Sequence, residues 1–406
     1  MVWLLGLIIG FFLTRLYHLT VMPPFMDELI YVRWLNEIRF HGDWLVPLKE
    51  FGWEPLGIWL AALINRLVVD PVLSLRLTSV IVSGGCLLLI NKLAGRAAAL
   101  FYILSPLILL HDRLGLRGDN LVVLAALLVF YGLRQRLSFW WGLGIAIGLF
   151  SKTTAAVLPA VVVASYLLIR PRLKAADFLA AALAAIPIGF YWLSGTLGQV
   201  INKQGTFVGD WLVKNNLLQI GPWLYQYLAW PVALLVIVGL LAKRNRLLLI
   251  NALVPLVLLI ISAKILFPRY LLPIFPFLLI YAAGGFNWLR QTLPRALKPL
   301  LIIFLLAPAW FSWRILIDLP TAPLPEIDQW QYVTGWPSGY GVKELVNYLQ
   351  VNSLGPLLNY SAEEILIDKA VSGGYAITNI REVDGELIKD FPRPGNKSSL
   401  KLWRLN

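Results

Sequence analysis

The chain of 406 residues is 59% hydrophobic and only 14% charged, with a mean hydropathy of +0.72, which excludes a single soluble globular domain. Its formal charge of +13 is unevenly spread: residues 318–406 hold 8 Lys and Arg against 11 Asp and Glu, so the excess lies in the apolar part. Basic loops between apolar runs explain that excess without a nucleic-acid partner, and the lone Cys86 excludes an intramolecular disulfide and a cysteine-based metal cluster.

Residues 2–21 are the first apolar run; without a basic leader or a small-residue cleavage site they read as a retained membrane helix. Directly behind stands Pro23-Pro24-Phe25-Met26-Asp27-Glu28, then Tyr31-Val32-Arg33-Trp34, Gly42-Asp43-Trp44 and Trp53-Glu54-Pro55. Further runs follow at 72–90, 97–110, 120–133, 137–150, 153–169, 175–194, 222–242, 247–262, 270–289 and 297–317. A run at 56–69 is too short to assign by length, and loop charge decides it. If 56–69 lies at the interface and the N-terminus is cytoplasmic, the cytoplasmic loops carry thirteen Lys and Arg and no acid. Eleven spans are therefore expected, with the N-terminus inside and the tail outside.

That topology gathers the remaining polar elements on the outer face: Asp27 to Glu54, His111 to Asp119, Ser151-Lys152, the loop 195–221 and Lys264 to Arg269. Ionisable groups at membrane depth are expensive and tend to be functional. Asp27 and Glu28 each have a plainer reading as acids favoured at a helix N-terminus. Arg113 and Arg117 can pair locally with Asp112 and Asp119, or grip a phosphate bidentately. Lys152 reads as a snorkelling helix end or as a partner for an anionic head group, and Arg269 and Lys264 repeat the theme. Three scattered histidines and the lack of a Walker loop, GxGxxG or GxSxG leave carboxylate-plus-cation chemistry on a phosphate-bearing lipid.

These residues resemble the GT-C superfamily of integral-membrane glycosyltransferases, in the branch holding bacterial homologues of protein O-mannosyltransferases and lipid A aminoarabinose transferases. The matching motifs are Asp27-Glu28, Gly42-Asp43-Trp44, Glu54-Pro55-Leu56 with Trp59-Leu60, Asp112-Arg113, Lys152, Arg269-Tyr270-Leu271-Leu272-Pro273 and Gly335-Trp336-Pro337 in the tail. The resemblance implies an all-α polytopic fold with outer-face juxtamembrane helices. It also implies inverting transfer of a sugar from a polyprenyl-phosphate donor to a glycan, lipid or protein acceptor. Asp27 matches the catalytic base, with Glu28 beside it and Asp119 as a second acid shifted by one residue. Lys152 and Arg269, helped by Arg113, Arg117 and Lys264, would face the donor phosphate, and Glu54, Tyr31 and Trp53 would shape the site. Pro55 stands where the aminoarabinose branch has lysine, which argues against that branch's sugar. No cofactor is called for, although carboxylates at Asp27 and Asp119 are compatible with a divalent cation. The alternative is a polyprenyl-linked sugar transporter or flippase, which would favour charges along a path through the bilayer and an internal repeat.

Residues 1–317 thus read as the membrane domain and 318–406 as a small outer-face α/β domain. Helices are expected at 341–351 and 363–371, and strands at 357–360, 375–378 and 400–405.

Overall fold

The computed structural model describes residues 2–115, 118–170, 172–207, 212–242, 244–293 and 297–406. In chain order the helices are α1 (Val2–Leu16), α2 (Met26–His41), α3 (Val46–Phe51), α4 (Leu56–Asn65), α5 (Pro71–Ala94), α6 (Arg96–Leu104), α7 (Pro106–Asp112), α8 (Asp119–Gln135), α9 (Ser138–Ser151) and α10 (Val157–Ile169). There follow α11 (Ala175–Leu193), α12 (Leu197–Phe207), α13 (Val213–Ala242), α14 (Arg246–Ser262), α15 (Phe275–Thr292) and α16 (Leu297–Ile317), and in the tail α17 (Glu326–Gln329), α18 (Val342–Val351) and α19 (Ala362–Leu366).

Every expected apolar run falls on helix. Among the described residues α5, α11 and α13 are long and apolar enough to cross a bilayer by length and composition alone. Large apolar side chains stand exposed on their outer surfaces, such as Phe178, Leu179, Trp192 and Leu193 of α11. A hydrocarbon phase satisfies such a belt where water would not, and the protein is an integral membrane protein. The ten-residue α4 is about 15 Å long, half of a hydrocarbon core of roughly 30 Å.

Two runs that read as single helices are broken, both near proline. The run 97–110 divides at Ser105, whose ψ of 117° is extended as the residue before Pro106 prefers. Pro106 then opens α7 at a position where its missing N–H is not needed. In α13, Ala229 leaves helical geometry two residues ahead of Pro231. Helices α13 and α15 pack with their backbones in close approach: a Cβ on Gly239 would collide with the carbonyl of Tyr281, and one on Gly285 with that of Leu235. This close backbone approach is the small-residue contact typical of membrane helices.

Buried ion pairs tie the first helices together. Arg15, fully buried in α1, donates from Nε to Asp112 at 3.0 Å and from Nη1 to the carbonyl of Ile103 at 2.8 Å. Arg76 of α5 grips Glu28 with two parallel bonds of 2.9 Å. Glu28 also accepts from the backbone N–H of Gly115 at 2.7 Å and of Phe25 at 3.4 Å, so it closes the N-terminus of α2.

The tail carries a four-stranded antiparallel sheet of β1 (Val371–Ser372), β2 (Tyr375–Thr378), β3 (Gly385–Pro392) and β4 (Ser399–Leu405), in the order β1-β2-β4-β3. Three expectations change here. Residues 357–360 are not a strand: Gly355–Asn359 is a 3-10 turn begun by Pro356, with Leu357 buried in the tail's core. The second helix ends at Leu366, and 371–372 is strand. β3 escapes sequence reading because, as an edge strand with two exposed residues in a row, it lacks alternation. The tail core is completed by Leu29 of α2, and Arg33 of α2 pairs with Glu363 at 3.0 Å, so the tail is docked onto the first loop. At the junction the N–H of Met26 donates to the carbonyl of Pro337 at 2.9 Å.

Candidate active site

Above α14 and below the tail lies a cavity of about 550 Å³. Its wall joins apolar Pro255, Leu258 and Leu259 of α14 to Asp27, Asp119, Lys152, Lys203 and Arg269. Trp330, Gln331, Trp336 and Pro337 of the tail also line it.

Three carboxylates meet three cations on this wall or directly behind it. Asp27, in the first turn of α2, accepts from Arg269 Nη2 at 3.1 Å. Asp119, the first residue of α8, is paired with the ammonium of Lys152, the residue that follows α9. Glu54 is buried; the hydroxyl of Thr153 donates to it, and Lys203 of α12 reaches it at 3.3 Å. The cations lie against aromatic faces, Lys152 over Tyr270 at 5.0 Å, Lys203 over Trp53 at 5.4 Å and Arg269 over Phe267 at 4.9 Å.

Gly118 explains why α8 and α9 can present Asp119 and Lys152 together. A Cβ there would run into the backbone carbonyl of Ser151, so only glycine lets the two helix ends touch. Arg269 sits in a 3-10 turn opened by Pro268 and is nine-tenths buried; its Nε has no hydrogen-bond partner. Burial works against its charge, but Asp27, Tyr332, Tyr270 and Asp119 more than offset this, and the guanidinium sits well above its usual range. It is therefore a permanent cation with unused donor capacity. Among the described residues no three His, Cys, Asp or Glu side chains are grouped to hold a metal ion.

The structure thus brings Asp27, Asp119, Lys152, Arg269, Glu54, Tyr31 and Trp53 to one cavity or its immediate wall. It separates others. Glu28 points away and is consumed by Arg76, Gly115 and Phe25, which corrects the expectation that both acids of the pair face the site. Asp112 is likewise taken up by Arg15 and by Asn120 at 3.2 Å, leaving Asp119 as the second acid on the cavity wall. Arg113 borders a different cavity, and Lys264 is exposed beside the wall residues Ala263 and Ile265. Arg117 lies outside the described residues. Lys203, Thr153 and Trp330 were not anticipated. The only hint at Lys203 was its place in the polar outer loop 195–221.

No protein-family model matches the sequence, and no curated protein matches it significantly. Solved structures do match. ArnT from Cupriavidus metallidurans in its apo state superposes with a TM-score of 0.56 at 18% identity, over 90% of this chain and 73% of that one. The same enzyme bound to undecaprenyl phosphate gives a TM-score of 0.55 at 18% identity, with the same coverage. The chain has the GT-C fold. Within that GT-C fold the cavity joins an apolar flank to a cluster of paired charges, an arrangement suited to a ligand that is lipid at one end and anionic at the other.

Proposed function

We propose that the protein is an inverting glycosyltransferase that moves a sugar from a polyprenyl-phosphate carrier to an acceptor on the outer face of the membrane, with Asp27 as general base. The observation that carries this reading is the Asp27–Arg269 pair on the wall of a cavity whose lining is otherwise largely apolar. A GT-C neighbour that binds undecaprenyl phosphate supports the choice of carrier.

In the step, the acceptor oxygen bonds to C1 of the sugar while the C1–O bond to the carrier phosphate breaks. The phosphate leaves with the electron pair, and the acceptor's proton passes to the Asp27 carboxylate. A phosphate leaving group needs no proton if cations meet its growing charge. Before the donor arrives, each cation rests on a carboxylate. Arg269 and Lys152 then turn their donors to the phosphate oxygens, and the carboxylate of Asp27 is released toward the acceptor.

Membranes containing the protein, supplied with a radiolabelled polyprenyl-phosphate sugar, are expected to pass label to an acceptor with inverted anomeric configuration and to release the carrier phosphate. Donor that is bound and never consumed, over a panel of lipid, glycan and protein acceptors, would sink the enzyme reading in favour of carriage. Gly118→Val is expected to lower transfer by about two orders of magnitude by parting Asp119 from Lys152. An unchanged rate in that variant, at equal protein level, would remove the second ion pair from the mechanism.

A further inference from the structure

Three arginines are buried close together where α1, α5 and α7 meet: Arg15, Arg76 and Arg113. Two have a carboxylate of their own, Arg15 on Asp112 and Arg76 on Glu28. Arg113, only 7% exposed, has none among the described residues. Its Nη2 donates to the carbonyls of Tyr17 at 2.7 Å and His18 at 3.0 Å, capping the end of α1, while its Nε is buried and unpartnered. Capping explains one nitrogen of the guanidinium and leaves the rest. Burial, with Arg76 and Arg15 adding repulsion, pulls Arg113 down to about 10, the mark of a charge the protein does not itself neutralise. Three guanidiniums against two carboxylates leave room for one anion.

Arg113 borders a second cavity, of about 220 Å³, that shares no wall residue with the first. At about 30 Å³ per water it would hold roughly seven, enough for a phosphate and its ester carbons. Its mouth is apolar. Val21, after α1, and Ile317, closing α16, lie on its wall and are 69% and 49% exposed, at the ends of apolar helices. Among the described residues the one acid on the wall, Asp318, is already engaged by Thr321 at 2.6 Å and Arg314 at 3.7 Å.

We propose that this cavity binds the phosphate headgroup of a diacyl phospholipid, with the guanidinium of Arg113 on its wall facing a phosphate oxygen and the acyl chains lying over Val21 and Ile317. The site is independent of the sugar-donor cavity. The bound lipid completes the neutralisation of the arginine cluster and pins the end of α1 to α7 and α16.

The test is native mass spectrometry of the full-length protein, extracted from membranes and stripped with increasing detergent; mass distinguishes a diacyl phospholipid from a polyprenyl phosphate. One diacyl phospholipid per chain is expected to survive stripping in the wild type. In Arg113→Met and in Val21→Trp, which plugs the mouth and leaves the α1 cap intact, its occupancy is expected to fall at least tenfold. Val21→Trp keeps the test decisive where loss of the cap unfolds Arg113→Met. Equal retention in wild type and Val21→Trp would overturn the proposal, since lipid held by the outer belt would ignore both changes. Retention of no lipid, with inorganic phosphate alone raising thermal stability in an Arg113-dependent way, would also overturn it and assign the cavity to free phosphate.

Discussion

Asp27→Asn is expected to lower the rate of transfer at saturating donor by about two to four orders of magnitude, the usual worth of a positioned general base. The change keeps the shape of the side chain and removes its basicity together with its charge on Arg269. The larger part of its cost in stability comes from Arg269, nine-tenths buried, which is left without its carboxylate. Asp27 lies in the first turn of α2 with its side chain a quarter exposed, and a carboxylate there contributes on the order of 0.3–1 kcal/mol through the helix dipole. Donor affinity should hold or rise, because Arg269 no longer shares its charge with a carboxylate. Initial rates against donor concentration, in membranes matched for protein level, separate the two quantities. A loss confined to KM would make Asp27 a binding residue; full activity would overturn its role as base.

Arg76→Met should act on the opposite quantity. The guanidinium of Arg76 and the carboxylate of Glu28 are both fully buried, and removing one partner leaves the other charged without compensation. Such a loss costs about 3–5 kcal/mol. The variant is expected to lose its monodisperse elution peak at a much lower temperature than the wild type in detergent. Converting Glu28 to Gln in the same chain should recover part of that loss, because the stranded charge disappears. Activity of Glu28→Gln should track the amount of folded protein, unlike that of Asp27→Asn. If Arg76→Met unfolds with the wild type, the pair contributes nothing to the fold.

The contrast between Asp27 and Glu28 shows what a linear sequence conceals. Two adjacent carboxylates at a membrane edge read as one functional unit, yet successive residues on an α-helix point about 100° apart. One therefore faces the cavity while the other turns into the bundle to meet Arg76. Asp112 and Asp119 divide in the same way, on either side of a loop. Lys152 and Arg269 were legible because a basic residue breaking an apolar run is conspicuous without any neighbour. Lys203 was not, since only the fold carries α12 to Glu54, 149 positions earlier in the chain. The helical bundle could be read from apolar runs alone; its breaks at Ser105 and Ala229 depended on proline and on packing.

The bond from Met26 to Pro337 bears on how far the protein can be trimmed. It ties the residue just before Asp27 to the tail, and Gly339 packs so closely on Pro24 that a side chain there would strike its carbonyl. Cutting the chain after residue 317 would bare Leu29 and remove Trp330, Trp336 and Pro337 from the cavity. The membrane helices alone would thus not complete this cavity: a fragment that holds Asp27 in place must keep both the first loop and the tail.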